Sequence, residues 1–168
     1  PHCHVFENYL NPWVETKPNY VEVVHIPAIF NNDNGLLLAK AYYTAEDLGV
    51  LNKIHPAMFK AIHEDKRQMN NEPDLISIFT EQGVSNEDFR KAFNSFSVDT
   101  KVRRAKQQTA SYGITGVPEM AVQGKYRLSS SKTGGYTALF KMVDSLVEKE
   151  HKQLTAPSQA TPDTQKAA

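Results

Sequence analysis

Pro1-His2-Cys3-His4 opens the chain and contains its only cysteine. One thiol can form neither an internal disulfide nor a four-cysteine zinc site, so chemistry at Cys3 needs a second group. Pro1-His2-Cys3 has the order of the last three members of a Cys-Pro-His-Cys motif whose first cysteine would lie one position earlier. At a helix start, unsatisfied backbone N–H groups and the positive end of the helix dipole favour that first cysteine as a thiolate, and an imidazole two residues on adds to the effect. The second cysteine, one turn later, points back toward the protein and can close or release the bond by exchange. Cys3 occupies that second position.

The same letters allow other readings. Cys3 could be a small buried hydrophobe at a helix start, with His2 and His4 as polar residues of the first turn. Cys-Pro-His-Cys-His would match c-type haem attachment, with His4 and one of Met58, Met69, Met120 or Met142 as axial ligands. A strand-rich half built around a hairpin is an odd frame for a small cytochrome. Three adjacent residues of a helix cannot all face one ion, so the residues predict no metal site. The second informative place is Gly116-Val117-Pro118, where a proline that opens a strand donates no ladder bond and a cis Val117-Pro118 peptide would give a tight entry. An ordinary trans proline at a strand edge is the alternative.

The elements that must position these residues follow from periodicity. Cys3, Phe6, Tyr9, Leu10 and Trp13 form an apolar stripe, which predicts a helix from about Pro1 to Val14, bent or ended near Asn11 by Pro12. Tyr20 to Ile26 reads as a buried strand closed by Pro27, and Asn31 to Gly35 as a polar turn. From Leu36 to about Tyr112 the texture is helical. Leu37, Ala41, Leu48 and Leu51 belong to one or two helices, and Pro56 could open the next, with Met58, Phe59 and Ile62. Glu72-Pro73 starts a helix with Leu75, Ile76 and Phe79 inward, ended by Gly83. Ser85-Asn-Glu-Asp88 caps another with Phe89, Ala92, Phe93 and Phe96 inward. A last helix of this block runs from about Asp99 to Tyr112. Met120 to Val122, the Gln123-Gly124 turn and Lys125 to Leu128 form a hairpin. The polar stretch Ser129 to Gly135 then leads to an amphipathic helix marked by Tyr136, Leu139, Phe140, Val143, Leu146 and Val147. Thr155 to Ala168 reads as disordered. The order predicts an α/β layout with an all-helical insertion between its strands.

Length and composition narrow the partners. A chain of 168 residues fits one domain with its own core. Nineteen basic residues balance nineteen acidic ones, so the electrostatic footprint of a nucleic-acid binder is missing. The basic face of Lys101, Arg103, Arg104 and Lys106 reads as solvated, and His25, His55, His63 and His151 as surface or satisfied core residues. There is no apolar run of membrane-spanning length, no glycosylation sequon and no solenoid repeat. The start lacks the basic and apolar segments of a signal peptide. Because it begins with Pro and not Met, the chain is read as a processed or truncated product.

Pro1-His2-Cys3, Phe6-Glu7, Phe93-Asn-Ser-Phe96, Gly116-Val-Pro118 and Val122-Gln-Gly-Lys-Tyr126, in that order, resemble the DsbA-type thiol:disulfide oxidoreductases, from Pro1 to about Glu150. The resemblance implies a thioredoxin fold with an inserted helical domain, residues 1–40 and 112–152 forming the first, 41–111 the second and 153–168 a disordered tail. It implies that Cys3 is the buried resolving cysteine, that Pro1 and His2 tune the nucleophile, and that Val117 and Pro118 form a cis-Pro pair offering backbone groups to an extended substrate. It implies no cofactor and a monomer that oxidises reduced, unfolded secreted proteins in the bacterial periplasm, with a membrane partner of the DsbB type to reoxidise it. Two departures stand out: the first cysteine and the strand before it are not in this sequence, and Glu119 stands where a small or apolar residue is usual. The chain by itself is expected to show no turnover. If the residue before Pro1 is not cysteine, the expectation becomes a redox-inactive peptide-binding module.

Overall fold

The computed structural model describes residues 2–30 and 32–156. They fall into two compact units, one within Pro1–Glu119 and one within Met120–Ala168. The expected disorder of 155–168 lies, beyond Ala156, outside the described residues.

The first unit is helical among its described residues. Helix α1 spans His2–Thr16 and buries Phe6 and Leu10, one turn apart, while Tyr9 faces solvent, contrary to the expected stripe. It runs through Pro12 and does not end near Asn11. A proline removes one ladder donor, and the turn beyond it closes independently. The Lys17 N–H donates to the Trp13 carbonyl at 2.9 Å and Thr16 Oγ1 donates to the Pro12 carbonyl at 3.2 Å. The strand expected over Tyr20 to Ile26 is absent. Its β-branched residues suit a pleated surface, but a strand exists only as half of a ladder. No described segment pairs with it, and Val24 is 67% exposed.

Residues 33–35 belong to helix α2 (Asp33–Asp47), not to a free turn, because Asn32 acts as N-cap and its Oδ1 accepts from the Gly35 N–H. A Cβ on Gly35 would lie 2.7 Å from that oxygen, so a larger residue there would push the Asn32 side chain from its capping position. Helix α3 (Leu51–His63) begins five residues before Pro56, which lies inside it. The turn before the proline is held by Ile54, 1% exposed in the core, with its N–H bonded to the Val50 carbonyl at 3.0 Å. Helix α4 (Glu72–Glu81) has Asn71 as its cap and buries Leu75, Ile78 and Phe79, with Ile76 half-buried against the same core. Helix α5 (Asn86–Phe93) is capped by Ser85, whose hydroxyl accepts from the Asp88 N–H at 3.0 Å and donates to its carboxylate at 2.7 Å. Helix α6 (Phe96–Ser111) starts three residues early because Ser95 caps it, accepting from Val98. That leaves Phe96 in the first turn, 80% exposed and not inward.

Helix α2 is buried on two sides. Ala41 and Ala45 join Ile54, Ala61, Met69, Leu75, Ile78, Phe79, Phe89 and Phe93 in the larger core, while Ala39 and Tyr43 join Ile29, Val98, Val102 and Ala105 in a second. The small alanines let α3, α5 and α6 approach it closely. Thr109 Oγ1 donates to the Ala105 carbonyl at 2.8 Å and accepts from the Ile29 N–H at 3.2 Å, tying the segment after α1 to α6.

In the second unit β1 (Met120–Val122) pairs antiparallel with β2 (Tyr126–Leu128), Val122 opposite Tyr126. Gln123 and Gly124, both at positive φ, make the turn. The polar stretch expected before the last helix forms a short helix, α7 (Ser130–Thr133). Helix α8 (Tyr136–Thr155) covers the hairpin with Leu139, Phe140 and Val143. It also buries Glu150, which accepts from Lys125 in the hairpin turn.

Two outcomes follow from this packing. Phe89→Ala removes a fully buried ring that packs 4.7 Å from Phe79 and 5.0 Å from Phe93; the cost expected is about 3–5 kcal/mol in urea unfolding, whereas Phe96→Ser stays within about 0.5 kcal/mol. The Lys125 bond holds the Glu150 carboxyl below its ordinary pKa. That stabilisation is complete above the unfolded carboxyl value of about 4.3 and is lost as pH falls through the lower folded value. Glu150→Gln therefore flattens the acid limb of the stability profile, and an unchanged limb would contradict the assignment.

Candidate functional site

Helix α1 sets the first group of candidate residues. His2 is exposed at its start, Cys3 is half-buried, and Pro1 lies outside the described residues. Cys3 and Glu7 are four residues apart and so share a face of the helix, above the buried Leu10. Burial raises the pKa of the Cys3 thiol, the positive N-terminus lowers it, and the Glu7 carboxylate raises it, with a net upward shift. The surroundings of Cys3 therefore disfavour its thiolate.

Helix α3 supplies groups that the sequence reading left as isolated histidines. His55, Phe59 and His63 recur every fourth residue on one face. His55 Nε2 and Glu7 Oε1 are 2.5 Å apart. A carboxylate only accepts, so Nε2 carries the hydrogen. The His55 ring packs edge-on against Phe59 at 4.7 Å and Tyr42 at 6.0 Å. His4, next to Cys3, stacks on Phe59 at 5.4 Å and on His63 at 5.7 Å, with Glu64 Oε1 3.9 Å from its Nε2. Burial lowers the pKa of His63, with His4 and Lys66 adding to the effect. It does the same to His25, where the His55 charge adds and the Glu7 carboxylate opposes. Tyr42 is pushed up to about 12, mainly by burial. The four-residue spacing on α3 and the Cys3–Glu7 interval were both visible in sequence. Their meeting depends on how α1 and α3 pack, which periodicity does not give. Among the described residues no three His, Cys, Asp or Glu side chains are placed to share a metal ion.

The second group lies after α6. The Val117-Pro118 peptide is cis. Val117 is 47% exposed, and among the described residues its N–H and carbonyl enter no backbone hydrogen bond. Glu119 folds back along this loop: its Oε1 lies 3.8 Å from the place a Cβ on Gly116 would take, and its Oε2 is buried. The loop thus presents an open donor and acceptor on one exposed residue, which is what an extended chain needs to add itself as a strand.

Comparison with known proteins gives the family of the chain. Residues 1–146 match the model of the DSBA-like thioredoxin domain family. The chain is 38% identical over 153 residues to the thiol:disulfide interchange protein DsbA of Pseudomonas syringae, covering 89% of this chain and 70% of that protein. It is 35% identical to DsbA of Pseudomonas aeruginosa, over 89% and 71%. The crystal structure of Pseudomonas aeruginosa DsbA superposes with a TM-score of 0.86 at 33% identity, covering 93% of this chain and 81% of that one. A variant of Proteus mirabilis DsbA with a non-covalently bound peptide superposes with a TM-score of 0.74 at 29% identity, over 88% and 83%.

The burial of Cys3 gives a direct expectation. With one cysteine in the chain, the iodoacetamide labelling rate reads that thiol alone, and its rise with pH is expected to have a midpoint above about 8.5, the ordinary cysteine value. A midpoint at or below neutrality would contradict the buried-thiol assignment.

Proposed function

The chain belongs to the DSBA-like thioredoxin domain family, the disulfide-introducing thiol:disulfide oxidoreductases, and from that premise we propose how its own residues serve the reaction. Cys3 is the resolving cysteine of a Cys-Pro-His-Cys pair whose first member would immediately precede Pro1. Its half-buried sulfur on the first turn of α1 is the observation that carries this reading. Pro1 and His2, between the two sulfurs, tune the outer thiolate at the helix start. Val117 offers its open N–H and carbonyl to an extended substrate chain, with Pro118 shaping the loop.

The reaction conserves electrons within sulfur bonds and needs no cofactor. A substrate thiolate attacks the outer sulfur of the Cys–Cys3 disulfide; an S–S bond to substrate forms as the bond to Cys3 breaks, and Cys3 leaves and takes a proton. A second substrate thiolate then attacks the mixed disulfide, leaving the substrate oxidised and both enzyme sulfurs reduced. Recognition through backbone groups suits substrates of many sequences, so reduced, unfolded secreted proteins are the proposed substrates. The balanced charge speaks against nucleic acid as a partner. We place the reaction in the bacterial periplasm, with a monomeric enzyme reoxidised by a membrane protein of the DsbB type. No described helix is long and apolar enough to cross a membrane. Residues 1–40 and 112–152 are proposed as the thioredoxin part and 41–111 as the helical insertion, with the seam inside α2.

The test uses the protein with a cysteine placed before Pro1. Reduced ribonuclease is expected to regain its disulfides in its presence, and Cys3→Ser is expected to reduce the rate to that of buffer while its single thiol traps disulfide-bearing partners as a stable mixed disulfide. Equal turnover with and without the Cys3 thiol would overturn the assignment, and absence of any oxidation would favour a redox-inactive peptide-binding module.

A further inference from the structure

Glu7 is the charged residue nearest Cys3 on its own helix face, and the proposed exchange cycle gives it no role. It is three-quarters buried, with 24% of its side chain exposed, and its partner His55 has 33% exposed. Charges at that depth interact more strongly than on an open surface. The groups around the pair come from four segments. Glu7 comes from α1 and His55 from α3, with Phe59 behind its ring. Tyr42 packs edge-on from α2, and His25, from the segment after α1, feels both members of the pair electrostatically. The two aromatic rings restrict how His55 can turn, so its Nε2–H is held toward the carboxylate.

We propose that His55 is a positioning residue for thiol–disulfide exchange at Cys3: by holding the Glu7 carboxylate with its Nε2–H, it governs how readily the Cys3 sulfur attacks a disulfide. A carboxylate one turn from a thiol opposes formation of the thiolate. A donor that draws that negative charge toward α3 relieves part of the opposition. The helical insertion would thus contribute to chemistry on α1 through one hydrogen bond. Closure of the Cys–Cys3 disulfide from a mixed disulfide is the step it affects: the Cys3 thiolate attacks the outer sulfur, the new S–S bond forms, and the partner departs as a thiolate. The functional weight of this inference rests on the reading of Cys3 as the resolving cysteine, while the coupling itself is measurable without it.

The experiment uses the chain as it stands and 5,5′-dithiobis(2-nitrobenzoate) as the disulfide. Attack by Cys3 breaks the reagent's S–S bond, forms a mixed disulfide and releases one coloured thiolate. His55→Phe, which keeps the ring and removes the donor, is expected to slow the reaction at neutral pH by about two- to fivefold, the charge effect across one helical turn being partly offset by the greater nucleophilicity of a more basic thiolate. It is also expected to move the midpoint of the pH–rate profile upward. Glu7→Gln moves the midpoint downward, and in that background His55→Phe has no further effect. A purely structural role for His55 would slow both backgrounds equally, and an unchanged profile in the single variants would likewise overturn the proposal. Circular dichroism of each variant identifies any that fail to fold, and His55→Leu then replaces His55→Phe in the same cycle. Failure of the coupling with ribonuclease oxidation intact would sink this inference alone. Absence of oxidation with the coupling intact would sink the reading of the site.

Discussion

The rotation of α1 about its own axis is the constraint on which the site depends. Burial of Phe6 and Leu10 fixes that rotation, because turning the helix by one residue would expose both and lose roughly 1.5–3 kcal/mol for each. With those two inward, the 3.6-residue period leaves Cys3 half-buried on the flank of the stripe, Glu7 beside it one turn on, and Val5 and Tyr9 in solvent. The state of the thiol follows from that placement. Cys3 is removed from water enough to disfavour its anion and lies beside a carboxylate that disfavours it further.

A second layer of packing brings α3 against this face. Helix α2, buried on two sides through its alanines, seats α3, α5 and α6. Helix α3 turns Ile54 and Ala61 into the core, and the adjacent stripe of His55, Phe59 and His63 meets His4 and Glu7. Phe59 packs against the rings of His4, His55 and His63, and His55 holds its Nε2–H toward the Glu7 carboxylate without bringing in a permanent charge. The arrangement links α3 to the helix that carries Cys3 by residues four apart on each of two helices.

Much of the fold was legible in sequence because its signals are local. Ser85 and Asp88 announced a helix start, Glu72-Pro73 another, and Gln123-Gly124 a hairpin, each with the cap or turn geometry that the residue types require. The errors came where a distant partner decides. Tyr20 to Ile26 has the composition of a strand but no ladder among the described residues, and Pro12 and Pro56 lie within helices whose adjacent turns are held by their own bonds and burial. Phe96 has an inward spacing, yet Ser95 starts a new helix and turns it out. At the candidate site, the helix start under Cys3 and the cis Val117-Pro118 peptide were legible from their motifs. The pairing of Glu7 with His55 was not, because it joins residues 48 positions apart and belongs to the packing of two helices.

The central claim is that Cys3 is one half of a redox pair rather than a buried structural thiol. Its most direct test is to equilibrate the protein bearing a cysteine before Pro1 with glutathione buffers of graded ratio, trap the thiols by acid quench, and map the bonds by mass spectrometry. The account predicts a reversible intramolecular disulfide that includes Cys3, opening and closing as one two-electron step with the buffer ratio. A Cys3 that remains singly reduced and alkylatable across the whole series, while the added cysteine pairs only with glutathione, would contradict it.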